Sequence, residues 1–123
     1  MCQENCLIAV IDDDESFRIA LVESLSSLGY GAHGFLSAEE FIVGGGRGSY
    51  DCLITDIHMP GISGLDLMQL LAGRGSRMPV IMITALAEPD LEARVAAAGV
   101  VLLLRKPFEA DALIDCLERI LKT

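Results

Sequence analysis

Short apolar runs alternate with amphipathic stretches along the whole chain. Cys6–Ile11, Cys52–Thr55, Val80–Ile83 and Val100–Leu104 are nearly free of polar residues, the pattern of parallel strands covered on both faces. Gly31–Phe35, interrupted by Gly31 and His33, predicts a further strand at a sheet edge. Between these runs the apolar spacing lengthens to that of a helix. Phe17, Leu21, Leu25 and Leu28 predict the first helix, and Ser37-x-x-Glu40 reads as a capping box opening a short second helix with Phe41 and Ile42. Leu65, Met68 and Leu71 predict the third helix, Leu91–Ala98 the fourth, and Leu113, Cys116, Leu117 and Ile120 the fifth. Gly44-Gly45-Gly46-Arg47-Gly48-Ser49 reads as a surface loop, because the strand pattern resumes directly after it.

This βα alternation implies an α/β fold: a doubly wound, five-stranded parallel sheet with five helices. Right-handed crossovers leave few topologies, and order 2-1-3-4-5 is the common doubly wound solution. It sets the first and third strands side by side. Ligands in such sheets bind beyond the carboxyl ends of the strands, and there four runs stop at reactive side chains: Asp12-Asp13, Asp56, Thr84 and, just past the last strand, Lys106.

Composition narrows the setting. A chain of 123 residues is one domain, spanning 1–123. Its 52% hydrophobic content would suit a membrane span, but the runs fall far short of the ~20 residues a spanning helix needs. The start Met1-Cys2-Gln3-Glu4-Asn5 lacks a basic region and a cleavage-type tail, so the expectation is a cytoplasmic protein without a signal peptide. A net charge of -9 with scattered basic residues argues against direct nucleic-acid binding. Cys2, Cys6, Cys52 and Cys116 have neither zinc nor Cys-x-x-Cys spacing, and Cys52 and Cys116 read as buried structural thiols. His33 reads as an exposed edge residue, Arg18 as compensation for the acidic cluster, and Met59, Met68, Met78 and Met82 as core filler.

Chemistry follows from the strand ends. Three carboxylates within ~5 Å at an effective dielectric near 20 repel by roughly 3 kcal/mol per pair. Lys106 supplies part of the counter-charge. A hard divalent ion on oxygen ligands supplies the rest: Mg²⁺ fits, with Mn²⁺ possible. An ionised aspartate can attack phosphorus, with metal, ammonium and hydroxyl neutralising the transferred group. Asp56, Lys106 and Thr84 are the candidates for nucleophile, ammonium and hydroxyl.

The segments Val10-Ile11-Asp12-Asp13, Asp56-Ile57-His58-Met59-Pro60-Gly61, Ile83-Thr84-Ala85 and Lys106-Pro107-Phe108 together resemble the signature of the response-regulator receiver domain of two-component signalling, the CheY-like family. Ser37-Ala38-Glu39-Glu40-Phe41 looks closest to its FixJ-like branch, whose members usually carry a helix-turn-helix output domain. The resemblance covers nearly the whole chain. It implies Asp56 as phosphoacceptor, Asp12 and Asp13 as metal ligands, one of them through water, and the His58 backbone carbonyl as a further ligand, its side chain projecting away. Thr84 would hydrogen-bond the phosphoryl group, Lys106 would pair with it, and the Lys106-Pro107 bond would be cis. The donor would be a phosphohistidine on a sensor histidine kinase or phosphotransfer protein. The fourth helix, fifth strand and fifth helix would form the face that meets an output domain or a second copy, and the chain would be the receiver of a longer transcription factor or a single-domain regulator.

One position departs from the family pattern. Receiver domains usually place Phe or Tyr three residues before the lysine, where this chain has Leu103. Switching through a backbone shift of the fourth helix and fifth strand, or through an apolar dimer surface there, is the alternative to a rotating ring. Other readings are weighed as well. A phosphorylation-independent interaction module on the same fold would normally have lost one of the five polar positions. Asp12-x-Asp14 resembles the nucleophile motif of haloacid-dehalogenase-like phosphatases, but that family needs an acidic metal pair after the lysine and usually a cap domain, and here Glu109 and Asp111 lead straight into a short helix. A flavodoxin-like cofactor site would place phosphate against Asp12, Asp13 and Asp14.

Overall fold

The computed structural model describes residues 6–45, 50–86, 88–100, 102–106 and 108–121. Its strands are β1 (Leu7–Ile11), β2 (Gly31–Phe35), β3 (Cys52–Asp56), β4 (Val80–Thr84) and β5 (Leu102–Arg105). They form one parallel sheet in the order β2-β1-β3-β4-β5. The helices are α1 (Glu15–Ser27), α2 (Ala38–Glu40, extended by a π-helical turn over Phe41–Gly45), α3 (Gly64–Gly73), α4 (Leu91–Ala97) and α5 (Ala110–Leu121).

Alternation along the strands divides the core into two layers. Ala9, Ile11, Leu53, Val80 and Met82 face one side, under Ala38 and Phe41 of α2, Leu67 of α3, and Leu91 and Val95 of α4. Ile8, Val10, Ile54, Ile81 and Ile83 face the other, under Leu25 of α1 and Leu113 and Leu117 of α5. Burying each large aliphatic side chain of this kind stabilises the fold by roughly 1.5–3 kcal/mol. β3 and β4 are buried along their whole length and β1 nearly so. That rigid centre carries the strand ends of interest.

Several local expectations are corrected. β5 starts at Leu102, not Val100, because the Val100 amide is drawn back to the Val95 carbonyl at the end of α4, past Gly99 in the left-handed region (φ 88°). For the same reason α4 stops at Ala97, with Ala98 as its cap. The apolar run at β5 is not covered on both faces: β5 is the second sheet edge, and Leu102, Leu103 and Leu104 are half-buried. The Ser37 box is only half formed. Its hydroxyl accepts from the Glu40 amide at 3.0 Å, but the Glu40 carboxylate accepts from the Leu36 amide at 2.9 Å. A complete reciprocal box forms instead between Ser63 and Asp66 at the start of α3. Leu28, at the exposed end of α1, does not join the core, whereas Leu67 is fully buried. Gly44 and Gly45 belong to the π-helical turn; the rest of the glycine-rich loop lies outside the described residues, as does Cys2.

Candidate functional site

Parallel pairing of β1 with β3 and of β3 with β4 brings three strand ends to one edge. Asp12 directly follows β1 and is buried; its amide donates to the Phe35 carbonyl at 3.1 Å. Asp14 caps α1 by accepting from the Phe17 amide at 3.2 Å, which turns the chain sharply after Asp13. Arg18, from the same helix, donates to the Asp12 carbonyl at 2.8 Å and so ties the turn down. Asp56 closes β3 and is 8% exposed. Carboxylate oxygens of Asp12, Asp13 and Asp56 all lie within 4.8 Å of one another.

Lys106 completes the cluster. Its backbone amide donates to the Thr84 carbonyl at 2.8 Å, and its ammonium reaches Asp12 Oδ2 at 2.9 Å and Asp56 Oδ2 at 3.3 Å. Burial pulls that ammonium down in pKa, but the hydrogen bond and charge of Asp12, followed by those of Asp56, outweigh it and leave the group raised. Asp56 is raised too. Burial is the main cause and the Asp12 charge adds to it, against the opposing pull of Lys106 and of the His58 amide, which donates to Asp56 Oδ1 at 3.1 Å. Ionised Asp56 is therefore held in place but under-compensated, the state that a divalent cation would relieve.

Thr84, fully buried at the end of β4, keeps its hydroxyl on the Leu86 backbone, accepting from the amide at 3.1 Å and approaching the carbonyl at 3.3 Å. It is adjacent to the cluster through the β3–β4 pairing but makes no described contact with its carboxylates. The His58 side chain turns to Glu88, with Nε2 2.9 Å from Oε1. Both atoms are shielded from solvent, and the pair is not aligned as a hydrogen bond. The Lys106-Pro107 bond lies outside the described residues.

Other sequence readings resolve plainly. His33 is exposed, with Nδ1 2.9 Å from the Tyr50 hydroxyl. Met59 and Met82 are core residues, and Met68 and Met78 are partly buried against the same core layer. Cys6 and Cys52 are buried, and Cys116 is half-buried on the inner side of α5.

Two contributors to the site were not legible as such. Glu39 of α2 accepts from the Ile62 amide at 3.1 Å and steadies the β3–α3 loop. Phe17 read as a helix core position, but its ring lies under the Lys106 ammonium. Only the proximity of Phe17 to the acidic run could have hinted at this.

The chain matches the family described as Response regulator receiver domain over residues 8–118. It is 37% identical over 111 residues to the transcriptional regulatory protein FixJ of Azorhizobium caulinodans, an alignment covering 90% of this chain and 53% of that protein. Among solved structures it resembles FixJ-N, at TM-score 0.85 and 29% identity, covering 95% of this chain and 94% of that one. It also resembles TrrA of Thermotoga maritima, solved in complex with Mg(2+)-BeF, at TM-score 0.83 and 29% identity, covering 94% and 99%. The chain spans about half the length of the curated relatives it matches. With the sheet order, the acidic strand ends and the lysine all in place, the chain belongs to the response regulator receiver domain family.

Proposed function

We propose that this domain accepts a phosphoryl group on Asp56 from the phosphohistidine of a sensor histidine kinase or phosphotransfer protein, in a Mg²⁺-dependent reaction. The observation that carries this reading is the buried Asp56 carboxylate, held between the Lys106 ammonium and two further acids whose oxygens converge with its own. In the transfer an Asp56 oxygen bonds to phosphorus as the P–N bond of the donor breaks. The histidine nitrogen leaves with the bonding pair and takes a proton from water. The domain assists its own phosphorylation and dephosphorylation and is not an enzyme acting on a separate substrate.

The donor set suits a hard divalent ion: three convergent carboxylates, Asp13 on the solvent side through which an ion enters, and an excess of negative charge over Lys106. Asp12, Asp13, Asp56 and the His58 backbone carbonyl would hold Mg²⁺ or Mn²⁺. When bound, the ion supplies neutralisation of the phosphoryl oxygens. Lys106 pairs with the transferred group, and the Thr84 hydroxyl gives up Leu86 to donate to it, so occupancy of Asp56 is felt in the β4–α4 loop.

Readout is assigned to α4, β5 and α5. Two open grooves flank β5 there. One of about 530 Å³ is lined by Val95, Val100 and Leu103, and one of about 470 Å³ by Leu102, Leu104, Cys116 and Ile120. Leu103 packs against the core layer that includes Leu91 and Val95. Switching therefore proceeds by a shift of α4 and β5 and is read by an output domain or a second copy of the chain. In the full-length protein the output would be transcription regulation, with DNA contacted by another domain, in the cytoplasm. No described helix is long and apolar enough to cross a membrane.

Intact-protein mass after incubation with phosphoramidate and Mg²⁺ tests the reading. A single phosphoryl addition is expected, absent in Asp56→Asn and absent when metal is chelated. A folded wild-type protein that gains no mass would overturn it. Backbone amide shifts of residues 84–105 that stay unchanged on phosphorylation would overturn the α4–β5 switch alone.

A further inference from the structure

The Lys106 ammonium is bounded on more than its carboxylate sides. Its nitrogen lies 4.1 Å from the centroid of the Phe17 ring, within the range where a cation is drawn to the negative face of an aromatic ring. The ring is itself held in two ways. Its backbone amide is bound by the Asp14 cap at 3.2 Å, and Phe108, two residues beyond the lysine, meets it edge-on with centroids 5.9 Å apart and planes at 76°. The Lys106 side chain is only 18% exposed, so the ring acts in a partly desolvated setting where its attraction is strengthened.

From this geometry we infer that Phe17 is a positioning residue for phosphoryl transfer: its π face fixes the Lys106 ammonium beside Asp56. The inference rests on the phosphoacceptor reading of Asp56 and adds to it a residue that acts only through the lysine. A lysine stem has four carbons and many rotamers, and its ammonium is strongly hydrated. With only carboxylates to hold it, the charge could follow either acid or leave for water. The ring removes part of that freedom at no charge cost, because it attracts the ammonium without competing for its hydrogen atoms as another acid would. The ammonium is thus already placed when negative charge gathers on the transferred group, which is how preorganised charge lowers a barrier. A leucine at 17 fills similar apolar space but has no quadrupole, whereas a tyrosine keeps the face.

The test compares wild type, Phe17→Leu and Phe17→Tyr in two measurements. In the metal-free protein, the Lys106 side-chain protons in wild type and Phe17→Tyr resonate upfield of ordinary lysine positions from the ring current, and Phe17→Leu loses that shift. With phosphoramidate and Mg²⁺, the rate of mass gain falls roughly fivefold in Phe17→Leu and stays within about twofold of wild type in Phe17→Tyr. Ordinary Lys106 shifts in wild type, a Phe17→Leu rate equal to wild type, or a Phe17→Tyr rate as slow as Phe17→Leu would each overturn the inference. A wild-type protein that takes no phosphoryl group would instead remove the reading of Asp56 and the catalytic consequence with it, while the proton shifts still decide the contact.

Discussion

β1 and β3 run side by side and end in opposite chemistry. At their carboxyl ends stand Asp12 and Asp56; at their amino ends, Cys6 and Cys52. Burial acts on both ends in the same direction, against the charged form. The Cys52 thiol has no counter-charge against burial: it is pushed up to about 12, first by burial and then by nearby Cys116, with only a weak backbone contact at Leu53 pulling the other way. Asp56 is raised as well, but a lysine and a backbone amide lean against burial and the Asp12 charge. Burial alone silences a titratable group. Burial with counter-charges and donors close by keeps one ionisable and fixed in place, which is what separates a reactive strand end from an inert one on the same pair of strands.

The sharpest way to break this comparison is to move the end of β3. A methyl on Gly64, at the start of α3, would stand 2.5 Å from the Asp56 carbonyl and 3.1 Å from the Ile57 Cα. Both neighbours are backbone and cannot turn aside. Gly64→Ala is expected to destabilise the domain by about 3 kcal/mol and to displace Asp56, read as a lower urea midpoint and a slower mass gain. Gly73→Ala, on the same helix but with open space around it, is the control and should be neutral or stabilising by up to about 1 kcal/mol.

A smaller effect of opposite sign is expected at Asp56 itself. Its folded-state pKa is raised from the ordinary 3.8, so the ionised form is better tolerated in the unfolded chain than in the native one. Without metal, Asp56→Asn is therefore expected to stabilise the domain by roughly 1 kcal/mol at pH 7. Wild type regains stability as pH falls through the raised value, and the advantage of the variant vanishes below the ordinary one, where both states are protonated. Thermal melts of the two proteins in chelator from pH 7 to pH 3 check the sign. A variant less stable than wild type at pH 7 would mean that Lys106 over-compensates the cluster.

The smallest effect sharpens the inert end. Cys52 is expected to resist iodoacetamide at pH 8 in the native state and to be alkylated fully in denaturant, followed by peptide mass. Labelling of native Cys52 at a free-thiol rate would show that the amino end opens readily and that burial does not silence it.

Much of this was readable along the chain. The strand runs, the sheet order, the edge position of β2, and the placing of Asp12, Asp13, Asp56 and Lys106 at one edge all follow from period, crossover handedness and the side chain at which each run stops. Those signals are local or topological, and a parallel sheet converts them into position with little freedom.

What only the tertiary structure decided lies between elements. Leu102–Leu104 are as apolar as the central strands, yet they sit half-buried on an edge, because coverage depends on neighbours rather than on composition. The Thr84 hydroxyl rests on Leu86, the His58 imidazole meets Glu88, and Glu39 reaches across to Ile62. Each joins loops far apart in sequence or turns a side chain that could have gone elsewhere. Phe17 shows the distinction most clearly. Its helical spacing marks it as apolar and inward, and both are true, but that its ring lies 4.1 Å from a half-buried ammonium follows from how α1 docks beside the end of β5. Hydrophobic periodicity specifies which face turns inward; which partner waits there is set by packing.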